Sequence, residues 1–390
     1  MPQSSDDLDS FRSEVRSWLE ENCPAGAKNI APSAENSFWG GRNPEPLSPD
    51  RKLWFERMAV RGWTVPGWPC EYGGGGLSPP QVRVLAEELD RIKAAAPLQS
   101  LGIMMLGPAL LKFASEEQKR EHLPAIARGE IRWAQGYSEP GAGSDLASLQ
   151  TRAEDMGDHF LVNGQKVWTT YGHKCDMIFT LVRTDPDVPK QQGISFLLID
   201  MASPGVEARP IRQLSGNTNF SETFFTDVRV PKVNLIGALN RGWDVAKYVL
   251  TFERTTMGSS GGGRTEESLE ASALRLLGRE GLAREPHLRQ EIAEALVDGW
   301  ALKVANRRLQ DQANARSATP FTPSALKVLA TELELRRTRA IMALGGFDHL
   351  DAGGTPAYKW LDAPTNCIAG GSNEIQLNIL SKRALQLPEV

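Results

Sequence analysis

Between residues 131 and 240 no segment of helical length keeps a 3.6-residue apolar period, and this limits what the chain can fold into. Apolar residues there fall in strand-length runs, Met177–Arg183 and Gly193–Met201, with Asp185–Gln192 as a turn between them. Phe160 and Val162 alternate ahead of Asn163-Gly164, and Val206–Leu214 and Glu222–Val230 complete the set. Asn-Gly is the strongest short hairpin signal, because a tight two-residue turn needs positive φ at both positions. The pair predicts a turn at 163–164, and the middle of the chain reads as all-β.

Helical periodicity occupies both flanks. Leu8, Phe11, Val15, Trp18 and Leu19 form one stripe. Ser48-Pro49 and Ser78-Pro79 each offer an N-cap with proline at the first helical position. The second predicts a helix burying Val82, Leu85, Ala86, Leu89 and Ile92, and Ser115 to Gln118 reads as a capping box. The Pro/Gly-rich loop Trp63–Leu77 reads equally as a connector or as close backbone packing near a site. Phe38 and Trp39, in the irregular Asn29–Leu47, are expected to cover something. Beyond Gly237, Trp243–Ser260 is periodic up to Gly261-Gly262-Gly263, which weaken or kink it. Leu288–Ala313 and Ala325–Leu344 predict long helices, and a last one starts near Ser372-Asn373-Glu374. The fold class expected is α+β: an N-terminal helical domain over 1–130, a β domain over 131–240 and a helical C-terminal domain over 241–390.

A chain of 390 residues holds two or three cores, and 41% hydrophobic with 24% charged residues is ordinary for a globular protein. A net charge of −4 argues against nucleic-acid binding and gives no membrane-surface signal. Cys23, Cys70, Cys175 and Cys367 lack CxxC spacing and read as reduced thiols, not a zinc site. The longest apolar stretch, Leu101–Leu111, contains Gly and Pro and is too short to span a bilayer. With an acidic start and no charged-then-apolar leader, the expectation is a cytoplasmic protein without membrane insertion.

The chemistry concentrates in four segments. Ala134–Thr151 reads AQGYSEPGAGSDLASLQT, where Gly141, Ala142 and Gly143 let backbone N–H groups approach a ligand. Alone, it reads as well as a turn closing a hairpin. Asn163–Thr170 (NGQKVWTT), Phe225–Pro231 with Leu235-Ile236-Gly237, and Gly370–Gln376 (GGSNEIQ) follow in order. Together these resemble the acyl-CoA dehydrogenase family, over nearly the whole chain. The resemblance implies a three-part helical, β and helical fold. It implies FAD-dependent α,β-dehydrogenation of an acyl-CoA thioester to the enoyl-CoA. Electrons would pass to an electron-transferring flavoprotein, and the chain would assemble as a homo- or hetero-oligomer, a dimer or tetramer.

That resemblance also implies roles. Tyr137 and Ser138 would border the pyrimidine side of the flavin, beside Gly143; Ser144 would reach flavin phosphate or the pantetheine arm. Trp168 would pack on the ring and Thr170 would hydrogen-bond near N5. The Gly370 N–H would hold the thioester oxygen.

Three departures stand out. The stretch where many members carry the catalytic glutamate reads Ala369-Gly370-Gly371-Ser372, without a carboxylate. Other members carry it directly before an arginine on the first C-terminal-domain helix, and Glu253-Arg254 matches; desolvation there makes a carboxylate basic. Glu253 is then the expected base and Arg254 a substrate-binding residue, while Glu374 reads as a helix N-terminus charge. Arg279 stands where the family's Arg-x-x-Phe-Gly reaches FAD phosphate in a neighbouring subunit, but the Phe-Gly is absent. Ala343 and Leu344 replace the glutamine expected before Gly345-Gly346, so a partner chain is expected to complete the pyrophosphate site. The alternatives are a flavin-dependent monooxygenase or oxidase on the same fold, or a supporting subunit of a hetero-oligomeric dehydrogenase.

Overall fold

The computed structural model describes residues 5–30, 37–259, 268–314, 319, 321–351 and 355–388, excepting the side chains of 5, 6, 251–259, 310, 313 and 314. Two compact units divide the chain: Met1–Pro210 with Phe220–Val249, and Ile211–Asn219 with Leu250–Val390.

The first unit opens with α1 (Ser5–Asn22), α2 (Pro49–Val60) and α3 (Pro79–Arg91), the last two with proline in their first turn. A π-helical turn at Gly102–Leu106 leads into α4 (Gly107–Phe113), and α5 (Glu116–Ala127) starts at the expected capping box. Ser115 accepts from the Gln118 N–H at 3.3 Å, and the Gln118 side chain accepts from the Ser115 N–H at 2.9 Å. Val15, Leu19, Trp54, Met58, Trp63 and Leu85 form the helical core. The α3 stripe differs from expectation: Ala86 is exposed and Glu88 is buried. Glu88 hydrogen-bonds Arg12, Arg16 and Arg91, and a buried charge is retained only when so paired. The Trp63–Leu77 loop is packed closely, with Trp63, Val65, Trp68 and Tyr72 buried.

An eight-stranded sheet follows: β1 (Trp133–Gly136), β2 (Arg152–Asp155), β3 (His159–Thr170), β4 (Met177–Arg183), β5 (Ile194–Asp200), β6 (Val206–Ile211), β7 (Phe220–Pro231) and β8 (Leu235–Ile236). Their order is β6-β7-β3-β2-β4-β5-β8, with β1 parallel to β4. Phe160, Val162, Ile178, Val182, Leu197 and Val228 fill its core.

The Asn163-Gly164 expectation is corrected. β3 runs straight through the pair, and the β2–β3 turn lies at Gly157, whose φ is +92°. Opposite Asn163 the facing strand β7 carries one extra residue, a bulge where Asp227 takes φ +50°. Asn163 holds that bulge by accepting from the Asp227 N–H (2.9 Å) and donating to its carboxylate (3.0 Å). Gly164 is needed for close approach, since a Cβ there would lie 2.6 Å from Thr151.

α6 (Gly242–Ser259) starts in the first unit; α7 (Leu269–Arg284), α8 (Pro286–Asn314), α9 (Thr322–Gly345), α10 (Thr355–Ile368) and α11 (Asn373–Ile379) belong to the second. Leu269, Ile292, Leu302, Leu326, Leu333 and Leu344 make the second unit's core. Helices α7 and α10 go beyond the sequence reading. α7 is kinked at Gly278 and α10 contains Pro364, and both residues interrupt a periodic pattern. The Gly261–Gly263 run lies outside the described residues.

Candidate functional site

In the first unit, β1 leads directly into the segment singled out in the sequence. Tyr137 is 5% exposed and meets Phe179 and Phe196 edge-on, at 6.1 and 6.4 Å between centroids. Its ring belongs to the sheet's aromatic core. Ser138 is half-buried, and its carbonyl accepts from the Val167 N–H at 2.9 Å, which brings the 138–144 loop beside Trp168.

Beneath that loop lies an ion pair. Lys166 is fully buried and donates to Glu139 at 2.7 Å and to the Tyr137 carbonyl at 3.2 Å. Glu139, 7% exposed, also accepts from the N–H groups of Gln150 (2.6 Å) and Thr151 (2.9 Å). Burial pushes Lys166 down to about 8 against the opposing pull of Glu139. Burial alone would raise Glu139, but Lys166 and the N–H donors hold it below the ordinary carboxylate value. Both groups are therefore charged at neutral pH, and the pair clamps both ends of the 139–151 segment to β3.

A second bulge places one extra residue on β3 between Lys166 and Thr169. Trp168 sits in it with φ +61°, 56% exposed, its ring edge-on to Phe220 at 6.1 Å. Thr169 is buried against Thr223, and Thr170 is half-buried. Gly143 and Ser144 are exposed, and a Cβ built on Gly141 or Gly143 would meet nothing within 4 Å. An exposed indole, a half-buried hydroxyl and an open glycine turn suit a flat, polar-edged aromatic ligand with an anionic arm. Trp39, as expected of a covering residue, packs over Arg132 and meets Tyr171 at 5.2 Å.

The start of α6 is anchored to the sheet. Asn240, at φ +62°, donates from its N–H to Ser195 Oγ at 2.9 Å, and Thr184 bonds both Ser195 (2.7 Å) and the Asn240 side chain (2.5 Å). Val245, Ala246 and Val249 are buried. An open cleft of ≈ 400 Å³ beside this start is lined by Gln192, Arg241, Trp243 and Lys247 and holds none of the expected site residues. Asp244, also in its lining, pairs with both Arg241 and Lys247 and offsets one of their two charges. Glu253 and Arg254 lie on the α6 backbone, but their side chains fall outside the described residues.

In the second unit, Gly370 and Gly371 link α10 to α11 with φ +66° and +85°. Ser372 caps α11, accepting from the Ile375 N–H at 3.4 Å. Glu374 is exposed in the first turn, and backbone N–H donation with Ser372 holds its pKa below the usual carboxylate value. Lys327 of α9 is fully buried, donating to the Cys367 carbonyl (3.0 Å) and to Asn373 Oδ1 (2.8 Å), while Asn373 donates to Glu332 (2.9 Å). Arg279 is exposed immediately after the Gly278 kink.

Sequence reasoning singled out the segments but missed Glu139, Lys166, Lys327 and Gln376 as site-building residues. Glu139, Lys166 and Gln376 lie inside the segments singled out, whereas Lys327 lies outside them, on α9. Among the described residues there is no cluster of metal-ligating side chains, and no helix is long and apolar enough to cross a membrane.

Comparison with known proteins adds independent information. Family models of the acyl-CoA dehydrogenase N-terminal, middle and C-terminal domains match residues 5–130, 134–228 and 240–385. Acyl-CoA dehydrogenase IpdE1 of Mycobacterium tuberculosis is 35% identical over 390 residues, covering 98% of both chains. Among solved structures, the steroid ACAD Tcur3481-Tcur3483 aligns with a TM-score of 0.78 at 27% identity, over 100% of this chain and 99% of that one. A chain of the ChsE4-ChsE5 complex from Mycobacterium tuberculosis aligns with a TM-score of 0.74 at 28% identity, over 100% of both chains.

Proposed function

The chain belongs to the acyl-CoA dehydrogenase family and is an oxidoreductase of that class; on this premise we propose that it oxidises an acyl-CoA thioester to the α,β-enoyl-CoA with FAD. The observation that carries this reading is Trp168, lifted out of β3 by its bulge and left exposed beside Ser138 on a loop clamped by a buried ion pair. FAD, when bound, supplies the acceptor for the hydride leaving the β-carbon. Trp168 offers its ring to the isoalloxazine, and Thr170 a hydroxyl near N5. The backbone at Tyr137 and Ser138 serves the pyrimidine edge, since the Tyr137 ring is engaged in the sheet. Gly143 and Ser144 face phosphate or pantetheine.

Glu253 takes the α-proton, and Arg254 engages the substrate's pantetheine. Helical phase supports the base: Glu253 follows Val249, Ala246 and Gly242 by four, seven and eleven residues, and all three are buried. An apolar setting makes a carboxylate basic enough to remove a proton next to a carbonyl. Exposed Glu374, its pKa depressed, suits that role poorly. The Gly370 N–H holds the thioester oxygen, where negative charge develops as the proton leaves.

With Arg279 exposed and lacking its Phe-Gly, another subunit completes the FAD pyrophosphate site. The similar ChsE4-ChsE5 assembly is a complex of two differently named proteins, which supports a hetero-oligomer. An electron-transferring flavoprotein is the acceptor. Similarity to the steroid ACAD Tcur3481-Tcur3483 makes a polycyclic acyl group the first choice.

The test is anaerobic reduction of the purified yellow protein by short, branched and steroid-derived acyl-CoAs. Bleaching of the flavin band, fastest with the steroid thioester, is expected. Bound flavin that no acyl-CoA reduces, but that oxidises a non-thioester substrate, would overturn the reading.

A further inference from the structure

The Gly370 turn is fastened by one amide. Gln376, 1% exposed, donates from Nε2 to the carbonyl oxygens of Gly370 (3.1 Å) and Gly371 (3.3 Å). In a planar trans peptide the N–H points opposite to its C=O. Tying these two carbonyls toward Gln376 therefore turns the N–H groups of Gly371 and Ser372 away from it. No hydrogen bond from the N–H of Gly370, Gly371 or Ser372 is found among the described residues. The contact is tight, since a Cβ on Gly371 would lie 2.6 Å from Gln376 Nε2. Gln376 Oε1 is buried without a partner among the described residues, so the amide keeps a costly unmatched oxygen at this position. A side chain of equal length without the amide would avoid that cost but release both carbonyls. The segment itself is stapled at both ends by Lys327, which reaches Cys367 before the turn and Asn373 after it.

We propose that Gln376 is a positioning residue for the thioester: by holding the Gly370 and Gly371 carbonyls it aims the N–H groups of Gly371 and Ser372, with Gly371 as a second outward donor beside Gly370. This rests on the reading that the turn holds the thioester oxygen. A donor displaced by a fraction of an ångström polarises the carbonyl less and costs rate more than affinity.

The experiment uses the flavin-loaded enzyme and the 2-enoyl-CoA of its fastest-reducing acyl chain, carrying ¹³C at the thioester carbonyl, read by infrared difference spectroscopy. Binding to wild type is expected to move the carbonyl band to lower wavenumber. Gln376→Met is expected to lose most of that shift and roughly 10- to 100-fold in kcat, with KM, flavin content and melting temperature near wild type. Gln376→Glu is expected to recover both band shift and kcat as pH falls, because a protonated carboxyl can donate where an ionised one repels the two carbonyls. Gln376→Met with wild-type band shift and kcat would overturn the inference and leave the Gly370 reading standing. Absence of any shift in wild type would sink the Gly370 reading itself. Should Gln376→Met not fold, Gln376→Glu decides alone, and pH-independent behaviour counts against the proposal.

Discussion

Replacing Lys166 by methionine keeps the length and volume of the side chain but leaves Glu139 buried with no cation against it. Removing one partner of a buried ion pair costs about 3–5 kcal/mol, because the remaining charge stays desolvated. Glu139 retains the N–H groups of Gln150 and Thr151, which places the expected loss at the lower end, about 3 kcal/mol. For a unit of this size that corresponds to about 6–12 °C in melting temperature. The double variant Glu139→Gln/Lys166→Met has no buried charge, but Gln150 and Thr151 bond different Glu139 oxygens, so the glutamine oxygen keeps one N–H and its NH2 faces the other. It should lie within about 1–2 kcal/mol of wild type, more stable than Lys166→Met by about 1–2 kcal/mol. The assay is a four-protein thermal cycle with flavin-free enzyme, joined to limited proteolysis of the 139–151 segment. Faster cleavage there is expected in Lys166→Met and not in the double variant. A single variant that melts with wild type, or a double variant less stable than the single, would refute the clamp.

Glu88 is held down to about 2, chiefly by its hydrogen bond to Arg16 and then by Arg91 and Arg12. A depressed carboxylate contributes stability above its unfolded value, near 4.5, that disappears as pH falls toward 2. Glu88→Gln should therefore lose about 3 kcal/mol at pH 7 and converge with wild type in acid melts; a pH-independent gap would contradict this. Trp168→Ala should lower flavin occupancy, measured by absorbance per protomer, with little change in the flavin-free melting temperature, since the ring is exposed; unchanged flavin content counts against its placement. Glu253→Gln should still bind flavin and acyl-CoA while substrate reduction falls by orders of magnitude. Glu374→Gln should leave the melting temperature nearly unchanged and be reduced normally; the opposite pattern in stopped-flow reduction reassigns the base.

Local chemistry accounts for what the sequence made legible. Pro49, Pro79 and the Ser115–Gln118 box mark helix starts because caps act within one turn. The strand runs at 177–183 and 193–201 appear nearly where read, since full burial writes a continuous apolar stretch. Asn163-Gly164 misled because the bulge it accommodates belongs to the facing strand. Ala86 misled because burial of Glu88 depends on arginines from another helix. The site followed the same rule. Trp168 stood out within its motif, whereas the Glu139–Lys166 contact exists only once β1 and β3 lie side by side.

The two bulges of the β3–β7 pair offset each other: β7 carries one extra residue opposite Asn163, and β3 carries one extra between Lys166 and Thr169. Pairing outside them follows one common register, and only the short stretch between is displaced by one position. This restricts how the ribbon can change length. Deleting a single residue at either bulge would flip every side chain of one strand beyond that point to the opposite face. Deleting one from each would restore the alternation, at the cost of the exposed indole. Insertions and deletions here should therefore be viable only in matched pairs, one per strand, and a lineage that straightened this ribbon would lose Trp168 from its perch in the same step.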